Sequence, residues 1–380
     1  MRRHRRKNKA KFASEQRAGR QCPLRLFRRN FYVKEKQVKV MTAQEIVQAA
    51  VALGYESCGI IPVEAVADYG EKLAERIDRK PVDAKGYNRF FGFAEPQKAN
   101  PWAKSIVVCV SRYGKYRLPE HLDGHVAKYY QVDGRRDAAS ADHQASLAFD
   151  AYLKGLGLQA LTERKFGVTA LRWAAYKAGL GIIRRNNFFY TDSGSWVNLE
   201  AWLIDEALEY RQENRQKPCP PDCRRCIDAC PTKSLSEPYT MSKASCVSNL
   251  TTWEGDDLPS NPYSGQMGSW IYGCDACQDV CPFNVRKWEP QEEYPNLEEI
   301  GSLIRPEQLV MMDEATLLTI IQPKFWYVGP ERIWKWRVNA LNAMCNEYKP
   351  QYAAAIAHAC GSENEKVREM GLWVKEQVGI

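Results

Sequence analysis

Eight cysteines between residues 219 and 281 constrain the fold of this chain more than any other feature. They form two groups of four, and each group ends in the pattern C-x2-C-x3-C-P. The first group is Cys219, Cys223, Cys226 and Cys230, and the second is Cys246, Cys274, Cys277 and Cys281. Short spacings let successive thiolates of one loop bind three corners of a cubane iron–sulfur cluster, while the cysteine before the proline binds the other cluster. The pattern therefore predicts two [4Fe–4S] clusters with interleaved ligands.

Each predicted cluster takes three cysteines from one group and one from the other. The first cluster is assigned Cys219, Cys223, Cys226 and Cys281, and the second is assigned Cys230, Cys246, Cys274 and Cys277. Zinc also favours paired C-x2-C motifs, but the repeated C-P ending and the eight ligands favour iron and sulfur. Cys219 is the ligand to question if its loop cannot surround a cluster, because three residues separate it from Cys223 where the bacterial pattern has two.

The other five cysteines have no ligand spacing. They are Cys22, Cys58, Cys109, Cys345 and Cys360. A disulfide framework is not expected, because the sequence shows no secretion signal and disulfides belong to oxidising compartments. Cys58 and Cys109 stand in apolar, strand-like runs, so we expect both to be small core residues.

Positive charge is concentrated in the first 40 residues. Residues 1–40 carry 15 Lys and Arg against 2 Asp and Glu, whereas the rest of the chain carries 39 against 44. We expect this basic tail to be disordered or to precede a true start at Met41, with a nucleic-acid-binding arm as the alternative. The tail lacks the apolar block of a secretory signal, and no apolar run is long enough for a transmembrane helix. We therefore expect a cytoplasmic protein without membrane contact.

Residues 41–215 mix strand and helix patterns. Apolar, β-rich runs at 58–63 and 105–110 predict buried strands. Two short strands are expected within 188–199. Helical periodicity predicts helices at 64–77, 142–153 and 171–180.

A composition break follows. Residues 216–290 hold the cysteine groups and several prolines, and their periodicity is weak, as expected where clusters organise the chain. Residues 291–380 read as helices that resemble HEAT-type repeats. These helices are predicted at 306–321, 331–347, 351–358 and 363–378. The fold class is therefore predicted as α+β, with a ferredoxin-like double-cluster module between an α/β domain and a helical domain.

Several runs of the chain resemble the epoxyqueuosine reductase family and occur in the same order. The cysteine segment contains RRCIDACPTKSL, CVSNLT and WIYGCDACQDVCPFN. Upstream stand LGYESCGIIP, ANPWAKSIVVCVSRYG and AAYKAGLGIIRRNNFFYTDSGSW, and downstream stands RVNALNAMCNEY. The resemblance covers roughly residues 41–360. It implies a nitroreductase-like N-terminal domain that binds cobalamin next to the clusters.

The resemblance also implies a reaction: reduction of epoxyqueuosine to queuosine in a tRNA anticodon. An external donor such as flavodoxin or ferredoxin would supply electrons, the clusters would pass them singly to cobalamin, and the cofactor would carry the difficult chemistry. An acid would protonate the oxygen that leaves when the epoxide opens. The sequence contains no G-x-G-x-x-G or P-loop pattern that would indicate another nucleotide cofactor. We expect a monomer.

Residues that contact the cofactor are implied where the family's motifs match this chain. They are Gly179, Gly181, Arg185, Asn186, Ser195 and Trp196. Glycine allows the backbone to approach a flat macrocycle closely. The alternative is that Gly179 or Gly181 only ends a helix. The family usually has Gly-Lys before the asparagine, whereas this chain has Arg184 and Arg185.

The catalytic acid is the main departure from the family. The family carries Gly-x-Asp-Tyr-His before a long helix, whereas this chain has GRRD at residues 134–137, followed by Asp142 and His143. Asp137 and Asp142 are therefore the candidate catalytic acids. The alternative is that Asp142 only stabilises a helix N-terminus, where acidic residues are favoured.

Basic and aromatic residues alternate in KFWY at residues 324–327 and in RIWKWR at residues 332–337. Such segments can bind RNA, but aromatic residues at helical spacing more often belong to a core, which we expect here.

Two other functions fit the cysteine pattern. A reductive dehalogenase-like enzyme would apply the same cofactors to a small molecule, and an electron-transfer protein would hold two clusters without cobalamin. Bound corrinoid, seen as visible absorbance after purification, distinguishes the electron-transfer protein from the enzymes.

Overall fold

A four-stranded antiparallel sheet organises the N-terminal part of the computed structural model, which describes residues 42–380. The strand order in this sheet is β1–β2–β6–β3. Two further pairs, β4–β5 and β7–β8, form small separate ribbons. The strands are β1 (Ser57–Pro62), β2 (Ser105–Arg112), β3 (Ala160–Leu161), β4 (Ile182–Ile183), β5 (Phe189–Tyr190), β6 (Val197–Ile204), β7 (Leu235–Glu237) and β8 (Thr240–Met241).

The two predicted buried strands are confirmed as β1 and β2. Seven of the eight residues of β2 are buried, because helices cover both faces of the sheet. Ile106, Val108 and Val110 face one core, and Val107 and Cys109 face the other. A strand buried on both faces shows a continuous apolar run rather than an alternating one. The prediction that Cys58 and Cys109 are core residues is also confirmed, since neither is exposed.

Seven helices accompany this sheet. They are α1 (Ala43–Ala52), α2 (Tyr69–Arg79), α3 (Ala84–Asn88), α4 (Pro96–Ala99), α5 (Lys128–Gln131), α6 (Ala141–Gly155) and α7 (Leu171–Lys177). Thr42 and Glu45 form a capping box at the start of α1, which satisfies two free N–H groups reciprocally. The helix predicted at 64–77 is split, because a 3-10 turn at Val63–Val66 precedes α2. The predicted helices at 142–153 and 171–180 are confirmed as α6 and α7.

The cysteine segment contains only short elements. Its helices are α8 (Arg225–Asp228), α9 (Val247–Thr251) and α10 (Ala276–Asp279). A small cluster of Cys226, Ile227, Cys230 and Leu235 is buried there. Other apolar residues of the segment, such as Leu250, Met267 and Ile271, are buried in the core of the C-terminal helices.

The C-terminal part is helical. Its helices are α11 (Leu297–Ser302), α12 (Pro306–Met311), α13 (Glu314–Thr316), α14 (Gln322–Lys324), α15 (Trp334–Asn346), α16 (Ala353–Cys360) and α17 (Glu365–Val378). The prediction of a single helix over residues 306–321 is wrong. Asp313 caps a new helix within that range, and a π-helical turn, Leu317–Ile321, follows the new helix. The other three predicted helices are confirmed as α15, α16 and α17, with no end shifted by more than three residues.

Three of the aromatic residues in the KFWY and RIWKWR segments belong to the core, as expected. Phe325, Trp326 and Trp336 are all buried, and Trp336 stacks on Tyr272 with ring centroids 4.9 Å apart. Asn339 donates hydrogen bonds to the carbonyls of Thr251 and Ile271. These contacts fix α15 against the cysteine segment.

Residues 1–41 lie outside the described residues, so the predictions for the basic tail and Cys22 stay predictions. Within residues 42–380, no helix is both long enough and apolar enough to cross a bilayer.

Helix α6 provides a matched test of the sheet core. Phe149 has no exposed surface and packs edge-on against Trp202 at 4.9 Å, whereas Leu147 on the same helix is 42% exposed. We expect Phe149→Ala to lower the free energy of unfolding by about 3–5 kcal/mol, because it leaves a cavity. Leu147→Ala should change it by less than about 1 kcal/mol. Urea denaturation measures both, and equal losses would contradict this core assignment.

Candidate functional site

The two cysteine groups meet where helices α8 and α10 pack against each other. Cys226 lies within α8 and Cys277 within α10. Tight turns follow both helices, because the N–H of Cys230 bonds to the carbonyl of Ile227 and the N–H of Cys281 bonds to the carbonyl of Gln278. Each turn directs the cysteine before proline towards the other group.

The eight cysteines line two cavities. Cys219, Cys223, Cys226 and Cys281 line a small cavity. Cys230, Cys246, Cys274 and Cys277 line one wall of a larger cavity of about 600 Å³. This partition is the one that the interleaved ligand sets require. The assignment of these eight cysteines as cluster ligands stays a prediction.

Burial and neighbouring thiols disfavour the thiolate form of Cys226 and Cys274. Burial raises the pKa of Cys226 to about 11, and the nearby Cys281 and Cys223 add to the effect. Burial likewise raises the pKa of Cys274, with contributions from Cys246 and Cys230. The positive charge of bound iron must therefore replace the thiol protons. Within the described part of the chain, no three His, Cys, Asp or Glu side chains lie close enough to share one metal ion.

Arg184 lines the small cavity and is almost completely buried, with 1% of its surface exposed. Its Nη1 lies 4.0 Å from the sulfur of Cys219, and its guanidinium lies 3.3 Å above the Phe283 ring. Its Nε has no hydrogen-bond partner within residues 42–380. A permanent positive charge therefore lies beside the first cysteine set.

Asn186 and Ser195, two of the implied cofactor residues, line the large cavity. The Asn186 side chain donates to the carbonyl of Cys277 at 3.0 Å. Ser195 donates to the side-chain oxygen of Gln278 at 2.8 Å. Both residues therefore hold the loop of the second cysteine set as well as the cavity wall.

The other four implied cofactor residues do not line the large cavity. A Cβ at Gly179 would lie 1.9 Å from the carbonyl oxygen of Gln212, and one at Gly181 would lie 2.2 Å from that of Tyr190. These glycines therefore accommodate close approach of the protein's own backbone. Gly179 also has φ +77° and follows the end of α7, which agrees with the helix-ending alternative.

Arg185 and Trp196 have structural contacts instead. Arg185 donates two hydrogen bonds of 2.6 Å, to the carbonyls of Cys223 and Pro221, and so holds the loop of the first cysteine set. Trp196 is buried and packs edge-on against Trp288.

Neither candidate acid lines the large cavity. Asp137 pairs with Lys324 at 3.4 Å. Asp142 accepts a hydrogen bond from Tyr116 at 3.3 Å and lines a third cavity, separate from the two that the cysteines line. Burial raises its pKa, and Lys115 partly opposes this. Asp142 also lies in the first turn of α6, as the helix-stabilising alternative expects.

Sequence reasoning missed most of the large cavity's wall, because its residues come from distant segments without motif spacing. Four cations line it: Arg76, Arg135, Arg172 and Lys243. Aromatic side chains line it as well: Tyr69, Tyr87, Phe90, Phe93, Tyr113, Tyr129, Tyr130, Phe166, Trp173, Phe188, Phe189, Trp253 and Tyr327. Such a cavity suits a large, partly apolar ligand that carries negative charge.

Comparison with known proteins agrees with this arrangement. A family described as a 4Fe-4S double cluster binding domain matches residues 219–284. An epoxyqueuosine reductase from Leadbetterella byssophila is 31% identical over 263 residues, which cover 67% of this chain and 84% of that protein. An epoxyqueuosine reductase from Cyclobacterium marinum is 30% identical over 263 residues, which cover 66% of this chain and 81% of that protein.

The fold also has a counterpart among solved structures. The crystal structure of an epoxyqueuosine reductase with a tRNA-Tyr epoxyqueuosine-modified stem loop matches with a TM-score of 0.71 and 20% identity. The match covers 89% of this chain and 90% of that one. The overall mixed α/β fold, with its cluster module and many helices, is thus the fold of that protein.

Gly157 and Gly179 both have positive φ. Replacing each by alanine tests whether Gly179 is required by the crowded backbone around it or only by a ligand. We expect Gly157→Ala to cost about 1–2 kcal/mol of stability, since only its left-handed conformation opposes a side chain, and no atom lies within 4 Å of the added Cβ. Gly179→Ala should cost more, because its Cβ would overlap the Gln212 backbone. Thermal unfolding of the cofactor-free protein measures both. Equal losses of stability in the two variants would instead favour a ligand-binding role for Gly179.

Proposed function

The chain belongs to the epoxyqueuosine reductase family, and on that premise we propose that it reduces epoxyqueuosine to queuosine in tRNA with two [4Fe–4S] clusters and cobalamin. The observation that carries this proposal is the shared wall: four cysteines of one set form part of a 600 Å³ cavity rich in aromatic residues. A cluster in that wall lies where it can pass electrons directly to a bound cofactor. Family membership favours this function over a dehalogenase-like enzyme and over a cofactor-free electron-transfer protein.

Two sets of four thiols suit two cubane clusters, because each set lines its own cavity and cysteine sulfur is the usual cluster ligand. We assign one cluster to Cys219, Cys223, Cys226 and Cys281, and the other to Cys230, Cys246, Cys274 and Cys277. The second cluster faces the large cavity and the first does not. Electrons from an external donor, such as flavodoxin or ferredoxin, would therefore enter at the first cluster and leave through the second.

The large cavity suits cobalamin in its lining. Its aromatic rings suit a flat macrocycle. When bound, cobalamin supplies a strongly reducing cobalt centre for the two-electron reduction of the epoxide. Asn186 and Ser195 support the wall between this cavity and the second cluster. Gly179, Gly181, Arg185 and Trp196 are proposed to act indirectly, by shaping the backbone around the site.

Asp142 is the proposed proton source for the oxygen that the epoxide releases. The third cavity, which Asp142 lines, adjoins the large cavity, since Tyr129 and Arg135 line both. The raised pKa of Asp142 keeps its proton to higher pH than an ordinary carboxyl. Asp137 is the weaker candidate, because it lines neither of these cavities and pairs with Lys324.

Finer features of the architecture and cellular setting are part of the same proposal. Residues 41–215 form a nitroreductase-like cobalamin-binding domain, residues 216–290 a ferredoxin-like double-cluster domain, and residues 291–380 a HEAT-like domain. The protein acts in the cytoplasm as a monomer.

Conversion of a defined tRNA tests the function directly. Reconstituted protein, cobalamin and a strong chemical reductant should convert tRNA carrying epoxyqueuosine to the queuosine form, detected by mass spectrometry of nucleosides. Protein that binds cobalamin and eight iron atoms per chain yet never converts this tRNA would refute the proposed substrate.

Cys230→Ser tests the interleaved ligand sets. Although Cys230 belongs to the first group in sequence, its loss should damage the cluster of Cys246, Cys274 and Cys277 and spare the other. Mössbauer and EPR spectroscopy after anaerobic reconstitution distinguish the two clusters. Cys345→Ser is the control, since Cys345 lines neither cysteine cavity. Selective loss of the first cluster instead would show that the ligand sets are exchanged.

Asp142→Asn tests the proton source. We expect this variant to slow epoxide reduction by about 10²–10⁴-fold, with cobalamin and iron content unchanged. The parent rate should also fall as pH rises through the raised pKa of Asp142, because only the protonated acid can donate. Asp137→Asn is the matched control and should turn over like the parent. Unchanged turnover of both variants would exclude both residues.

A further inference from the structure

Three cations gather on one side of the large cavity. Arg76 comes from α2, Arg172 from the first turn of α7, and Lys243 from the turn after β8. These segments are far apart in sequence, so no local pattern reveals the cluster. We call these three residues the cation cluster.

The hydrogen bonds of the cation cluster leave its charge uncompensated. Arg76 donates to the side-chain oxygen of Asn187 at 2.9 Å, and Arg172 donates to the main-chain carbonyl of the same residue. Lys243 donates to the carbonyl of Gly86 at 3.2 Å. All three acceptors are neutral oxygens, so these bonds orient the cations without neutralising them.

One carboxylate, Asp83, lies next to the cation cluster and offsets part of the charge of Lys243, which leaves the charges of the two arginines. One oxygen of Asp83 accepts the backbone N–H groups of Lys243 and Ala244, at 2.9 and 3.2 Å. Arg76 and Arg172 both donate to Asn187, so two like charges share one site. An anionic ligand would relieve this repulsion.

Aromatic rings lie beside the cations. Lys243 Nζ lies 4.7 Å from the ring centroid of Tyr87 and 4.4 Å from that of Phe90. Tyr69 also lines the cavity. Flat rings next to guanidinium groups suit a ligand that joins a phosphate to an aromatic base.

We propose that the cation cluster is a phosphodiester subsite that binds a nucleotide unit at the edge of the large cavity. The inference rests on the proposed function, which brings two such units to this protein. One is the phosphodiester of the nucleotide loop of cobalamin, and the other is the backbone of the tRNA anticodon arm. Both present the same chemistry, an anionic phosphate between a sugar and a second substituent, and arginine binds it through paired N–H groups.

Binding measurements on the full chain with both clusters reconstituted distinguish the two sources. The probes are cobalamin, cobinamide (which lacks the nucleotide loop and its phosphodiester) and an RNA anticodon stem loop. Arg76→Gln and Arg172→Gln remove one charge each. Arg79→Gln is the matched control, because Arg79 lies on α2 like Arg76 but does not line the cavity.

We expect each cavity variant to weaken one phosphodiester ligand by about ten- to a hundredfold, the usual loss for a charge-assisted hydrogen bond. Weaker cobalamin binding with unchanged cobinamide binding identifies the nucleotide loop. Weaker RNA binding with unchanged cobalamin binding identifies the tRNA backbone. Either result supports the subsite.

Three results would overturn the subsite. They are unchanged affinity for every probe, an equal loss for cobalamin and cobinamide, and an Arg79→Gln loss as large as that of Arg76→Gln. The proposed function has a separate criterion: if the parent protein binds no corrinoid at all, the cobalamin assignment fails, and the RNA measurements alone decide the subsite.

Discussion

One cysteine of each group lines the cavity of the other group, and this exchange is the constraint on which the rest of the structure depends. It requires residues 219–230 and 274–281 to run side by side, and the packing of α8 against α10 meets that requirement. The surrounding chain is then fixed to this pair. Asn186 and Ser195 bond to the α10 loop, and Arg185 bonds to the loop before α8. The positions that resemble a cofactor-binding motif therefore also hold the N-terminal part of the chain against the cysteine segment.

The large cavity is a product of that anchoring. The antiparallel sheet has helices on both faces, and they pack its two cores. The large cavity lies where the sheet and its helices meet the cysteine segment, and residues from both line it. The C-terminal helices contribute Tyr327 to the same wall and fix the cysteine segment through Asn339. Each of the three regions is therefore needed to define one site.

Local spacing determined what could be predicted from the sequence. The cysteine partition and the strands around Val108 follow from residues close together in the chain. The tight contact of Gly179 with Gln212 does not, because it joins segments 33 residues apart. Likewise, no local pattern in the sequence predicts that Arg76 and Arg172 line the same cavity. The break in the helix predicted at 306–321 shows that apolar periodicity can continue across a capping residue such as Asp313, which starts a new helix.

The buried charge of Arg184 links folding of this protein to its iron supply. No carboxylate within residues 42–380 pairs with that guanidinium, and the sulfur of Cys219 is its nearest anionic partner once iron has displaced the proton. A cubane with four thiolates carries net negative charge, so it can act as the missing counter-ion. Without it, the native state bears an unpaired interior cation in addition to eight unligated thiols. Iron starvation would then reduce the amount of folded protein, and not merely its activity, because chains without clusters would be preferred substrates for proteolysis.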